Sequence, residues 1–113
     1  ESKLYNTSKL EDFSVNNPAF LKKMLQLFVE ESSNAFRTLK TAVDSGDYTL
    51  AAELAHKLKP SFDQLMIVPL LDGIKKVESL AKQKDPESLI PKLLAELEPV
   101  LGQVIAEIRK NEL

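Results

Sequence analysis

The run Ala55-His56-Lys57-Leu58-Lys59-Pro60-Ser61-Phe62 carries the only histidine of the 113-residue chain. A helix advances by about 100° per residue, so the faces of this run can be drawn from sequence. The apolar set Ala51, Leu54, Ala55, Leu58 and Phe62 gathers on one side, and His56 falls nearly opposite it. Lys59 lies one turn beyond His56 and to its side, while Ala52 and Pro60 lie one turn before and after it. An imidazole on a wet face, beside small residues and a cation, is poorly placed for packing and well placed for phosphate chemistry. A nucleophilic imidazole that takes up a phosphoryl group must be exposed, substantially neutral near pH 7, and close to positive charge. His56 with Lys59 and Lys57 meets those conditions. The bland alternative, a histidine that is merely solvated, stays open on these residues alone.

Other chemistries for a lone histidine fit less well. A zinc or iron site needs three or four ligands, and metal sites in helical bundles point them inward. There is no second histidine and no cysteine, so zinc-thiolate centres, iron–sulfur clusters and disulfides are excluded. A hydrolytic dyad needs a nearby nucleophile. The closest hydroxyl after His56 is that of Ser61, five residues on and off its face.

The elements that position His56 read as helices. Asn17 then Pro18 is an N-cap followed by the favoured first-turn proline. From there Leu21, Met24, Leu25, Phe28, Ala35, Leu39, Ala42 and Val43 recur at three- and four-residue steps, predicting a helix from Pro18 to Asp44 that stops at Ser45-Gly46. Asp47 caps a second helix, from Tyr48 to Asp63 or Gln64, which carries His56 and is expected to end or bend within a turn of Pro60. Pro69 starts a third, with Leu70, Ile74, Val77 and Ala81 inward, and Asp85-Pro86 marks the next break. A fourth follows, with Pro91 in its first turn, Pro99 expected to kink it, and Leu93, Leu97, Val100, Leu101, Val104, Ile105 and Ile108 inward. Ahead of these, Thr7 or Ser8 with Leu10 and Phe13 predicts a short helical turn that caps the bundle. Short connections force antiparallel neighbours, so the expected fold is a single all-α domain over residues 1–113, an up-down-up-down four-helix bundle.

Composition agrees. Apolar content of 43%, charged content of 28% and three glycines describe an ordinary globular helical domain. A net charge of −2 supplies no basic field for nucleic acid. No apolar run approaches the ~20 residues of a membrane span, and no signal peptide is expected. The absence of cysteine fits a reducing compartment.

The segment from Ala55 to Ser61, followed by Leu65, resembles the signature of histidine-containing phosphotransfer domains, roughly His-x-Leu-Lys-Gly-Ser with Leu-Gly a few residues on. The likeness extends back through Tyr5, Leu10, Phe13, Phe20, Met24, Phe28, Leu39 and Gly46-Asp47, and more weakly forward to Val77-Glu78. It implies that His56 is the phosphoryl acceptor, Lys59 the cation beside the phosphate with Lys57 helping, and Glu78 a partner for the imidazole. Ala52, Pro60, Ser61 and Met66 would form the docking surface. Two positions depart from the family pattern: Pro60 stands where the family has glycine, and Met66 replaces the later glycine. The resemblance further implies a cytoplasmic phosphoprotein of two-component signal transduction, a monomer and a carrier rather than an enzyme. Its partners would be response-regulator receiver domains and a hybrid histidine kinase, with no nucleic acid and no membrane insertion. It implies no cofactor of its own, Mg²⁺ being supplied by the receiver. The departures at Pro60 and Met66 motivate a second reading, a helical adaptor that binds receivers without transfer. A helical subunit of a larger assembly is the third.

Overall fold

In the computed structural model, which describes residues 4–15 and 17–113, every regular element among those residues is helical. A short α1 (Ser8–Phe13) precedes four long helices: α2 (Pro18–Asp44), α3 (Tyr48–Gln64), α4 (Val68–Lys82) and α5 (Ile90–Asn111). Each long helix packs on the next, and α5 returns to α2. With connections this short, that cyclic order is an antiparallel up-down-up-down bundle. No helix among the described residues is long and apolar enough to cross a membrane.

Local chemistry explains the boundaries. The side chains of Asn17 and Asp47 accept the backbone N–H groups of Phe20 and Leu50, both at 3.1 Å, and so cap α2 and α3. Three helices end in the same way. The residue after the C-cap turns left-handed, at Gly46 (φ 76°), Met66 (φ 53°) and Lys84 (φ 62°). The next N–H then reaches back to the third-last helical carbonyl: Asp47 to Ala42, Ile67 to Phe62 and Asp85 to Leu80. Only the first of these left-handed positions carries a glycine.

The turn at Met66 therefore forms without the glycine. An L-residue in this conformation carries a penalty of roughly 1–2 kcal/mol, while glycine adds back up to about 1 kcal/mol of chain entropy. Met66 is 43% exposed, so its side chain contributes little by burial. Met66→Gly should accordingly stabilise the fold by up to about 1 kcal/mol, read as a higher urea midpoint. A lower midpoint would mean that the methionine packs better than its exposure suggests.

Pro60 does not end α3, which continues for four residues to Gln64. An interior proline costs about 3 kcal/mol or more. The residues just beyond it, Phe62 and Leu65, are fully buried and together return about as much or more at roughly 1.5–3 kcal/mol each. Phe62 also meets Phe28 of α2 edge-on, with ring centroids 6.4 Å apart. Similarly, α5 runs from Ile90 to Asn111 without a break at Pro99, with Pro91 in its first turn. Its buried stripe is Ile90, Leu94, Leu97, Leu101, Val104 and Ile108, so Leu93, Val100 and Ile105 sit at the edge of the core rather than inside it.

The N-terminal segment closes the end of the bundle where α3 finishes and α4 begins. Leu10 is buried while Phe13 is 75% exposed, so only one of the two expected apolar contacts of α1 turns inward. The Asn6 N–H donates to the Leu65 carbonyl at 2.8 Å, and the buried Tyr5 donates to Glu112 Oε2 at 2.8 Å.

Candidate functional site

His56 projects from the middle of α3, and its side chain is 70% exposed. The expected wet face is thus confirmed in position. Across the groove, α4 presents Glu78, whose side chain is only 8% exposed and which organises everything around the histidine. Its Oε2 accepts from His56 Nδ1 at 2.8 Å, and its Oε1 pairs with Lys59 Nζ at 2.7 Å. Lys82, one turn further along α4, brings its Nζ to 3.4 Å from Oε2. His56, Lys59 and Lys82 therefore converge on Glu78, one carboxylate bridging three donors.

The electrostatics set the imidazole's protonation pattern. The hydrogen bond from Lys59 is the largest influence on Glu78; burial opposes it, and the bonds from His56 and Lys82 add to it. Together they push the carboxyl from the ordinary 4.5 down to about 2. Glu78 is consequently ionised at neutral pH and can only accept. The proton of the 2.8 Å contact must then sit on His56 Nδ1. In the neutral ring this leaves Nε2 unprotonated, with its lone pair directed away from Glu78. An exposed nitrogen nucleophile held in one tautomer, with two ammonium groups nearby, suits attack on an electrophilic phosphorus.

The other expected site residues divide between two faces. Ala52 lines a shallow depression with Lys82, Tyr48 and Thr49, one turn from His56 on the α3–α4 side. Pro60 is exposed one turn beyond His56. Having no N–H, it leaves the His56 carbonyl without its usual helical donor. Met66 is exposed at the α3–α4 turn. Lys57 and Ser61, by contrast, line a cleft against Glu31, Asn34 and Thr38 of α2. The structure does not bring Lys57 into the group around Glu78. Lys82 takes that place, and it was missed because α4 lies outside the histidine-bearing run. The signal available in sequence was the four-residue step from Glu78 to Lys82, a pairing distance on any helix.

Comparison with known families decides the assignment. The family model described as the Hpt domain matches residues 23–110, most of the chain. The chain belongs to the Hpt-domain family. This family implies histidine phosphotransfer in phosphorelays, with the receiver domains and kinases of two-component systems as its interacting proteins. Hpt domains are phosphocarriers rather than enzymes, and their four-helix bundle is the fold found here. No curated protein and no solved structure matches the chain.

Proposed function

We propose that this Hpt domain is a phosphorelay intermediate in which His56 Nε2 accepts a phosphoryl group from a receiver aspartate and passes it to a second receiver. The observation that carries the reading is the Nδ1–Glu78 contact at 2.8 Å beside an imidazole whose outer edge is open. In the transfer, the Nε2 lone pair attacks phosphorus as the bond from phosphorus to the aspartyl oxygen breaks. The aspartate leaves as carboxylate, and the imidazole keeps its Nδ1 proton. The ring becomes more positive during attack, and the Glu78 carboxylate offsets that charge. Onward transfer runs the same steps in reverse against a new aspartate.

Lys59 and Lys82 flank the incoming phosphate in this reading, and the face around Ala52, Pro60 and Met66 meets the receiver. Mg²⁺ belongs to the receiver's pocket and would neutralise charge on the phosphoryl oxygens there. The same reading makes the domain a cytoplasmic, monomeric carrier. Incubation with a phosphorylated receiver tests it: acid-labile phosphate on His56 is the expected product. Binding without transfer would support the adaptor reading, which Pro60 and the strained Met66 turn motivate.

Lys59→Ala should slow transfer about fivefold without abolishing it, because a partly exposed ion contact is worth no more than about 1 kcal/mol. Glu78 keeps His56 and Lys82 as partners in that variant. Salt should narrow the gap between the variant and wild type, since such contacts are screened. Lys75→Ala, on α4 but outside the group, is the control. Equal rates for Lys59→Ala and wild type at low salt would remove Lys59 from the site.

A further inference from the structure

The flank of α4 that faces α5 holds a second surface that phosphotransfer does not use. Lys76 and Leu80 of α4, Leu89 of the connection, and Lys92, Leu93 and Glu96 of α5 line an open groove there. Three leucines form its floor. Leu89 is 43% exposed, one of the large hydrophobic side chains left at the surface.

Leu89 is held in place by a constrained connection. Asp85 is buried, and its two carboxylate oxygens accept the N–H groups of Leu89 at 2.8 Å and Ile90 at 2.9 Å. Asp85 and Ser88 both adopt left-handed backbone, at φ 43° and 54°. The similar angle at Lys84 is accounted for by the end of α4; these two are not needed to stop a helix. Non-glycine residues hold that conformation at an energetic cost, and only where their surroundings impose it. The outcome is a backbone fixed at Leu89, one of the three leucines lining the groove, which spares a partner part of the entropy of ordering it.

The rim gives the chemistry of that partner. Among the described residues neither Lys76 nor Lys92 forms an ion pair, although the chain as a whole carries a net charge of −2. Glu96 also lines the groove, so its charged side chains are two lysines and one carboxylate; the two ammonium groups outnumber it, and with the leucines they complement apolar side chains flanked by carboxylates. A nucleic acid would satisfy the lysines and leave the leucines uncovered. We propose that this groove receives an acidic amphipathic segment of a partner protein, with apolar anchors on Leu80, Leu89 and Leu93 and carboxylates against Lys76 and Lys92. Glu78 and Lys82 face α3, whereas Lys76 and Leu80 face α5. The groove can thus be occupied while the His56 face engages a receiver, keeping a partner bound through successive transfers.

The test titrates the isotope-labelled full chain with a synthetic acidic amphipathic peptide of about 15 residues, some four helical turns. A matched peptide with every glutamate changed to lysine is the comparison. The acidic peptide should shift amide resonances across residues 76–96, and added salt should weaken it. The double variant Lys76→Glu/Lys92→Glu and the single variant Leu89→Ser should each raise its dissociation constant about tenfold. His56→Gln should bind like wild type, so this result is readable whatever the outcome for phosphotransfer. The proposal is overturned if the acidic peptide does not bind, if both peptides bind equally, or if the shifts cluster around His56. Concentration-dependent shifts at residues 76–96 without peptide would overturn it as well, by identifying a second copy of the chain as the occupant.

Discussion

His56→Gln is expected to abolish phosphoryl uptake from a phosphorylated receiver while leaving the bundle folded. Glutamine keeps a polar group of comparable reach but has no nucleophilic nitrogen, because its amide lone pair is delocalised into the carbonyl. The stability side of the forecast follows from exposure. The side chain is 70% exposed and its hydrogen bond goes to Glu78, which retains Lys59 and Lys82. Substitutions at such positions usually change stability by less than about 0.5 kcal/mol. Radiolabel transfer and a thermal melt, taken on one preparation, read both halves. A melt lowered by many degrees would make His56 structural, and persistent labelling would move the acceptor elsewhere.

The second large effect belongs to Glu78. Glu78→Ala should slow transfer by ten- to a hundredfold, on the order of what small losses of reactant alignment cost, since nothing would then hold the proton on Nδ1. Glu78→Gln can still accept from Nδ1 and should recover part of the rate, while lacking the charge that holds Lys59 and Lys82. A merely structural glutamate would give both variants the same rate once their fractions folded were matched.

Acid stability provides an independent reading of the same residue. Because folding depresses the Glu78 carboxyl from 4.5 to about 2, its contribution is fully present above about pH 4.5 and is lost as pH falls towards 2. That contribution is on the order of 3 kcal/mol. The stability difference between wild type and Glu78→Gln should therefore be constant near neutrality and shrink across this window. Urea midpoints at pH 6, 4, 3 and 2 measure it directly, and comparing the two proteins cancels the other titrating carboxylates. Parallel curves down to pH 2 would show that Glu78 gains nothing from its lysines.

Much of the bundle is legible in sequence because its determinants are local. Asn17-Pro18 and Asp47 cap the next turn of their own chain, and Gly46 terminates the preceding one. Helix faces follow from the 3.6-residue period, which puts His56 on the wet side of α3 whatever its neighbours. Errors arise where a local rule is outweighed from outside. Pro60 is one such place: α3 ends at Gln64, within the expected bounds, but the turn beyond the proline stays helical because Phe62 and Leu65 are buried there. Met66 stands where a glycine was expected, and the packing of Ile67 and Phe62 imposes the left-handed turn regardless.

The place of His56 on the wet face of its helix, the helical class and the order of the elements were determined by sequence alone, through spacing and capping. What only the tertiary structure decided is which charges reach the imidazole. Lys57 adjoins His56 in the chain yet lines the cleft toward α2, whereas Lys82 is 26 residues away and stands beside the same carboxylate. A wheel gives directions about one helix axis; it says nothing of how far α4 slides along α3. That register is set by the packing of side chains such as Ala55, Leu58, Ile74 and Val77 in the shared core. A slide by one turn, about 5.4 Å, would carry Glu78 out of reach of both Nδ1 and Lys59.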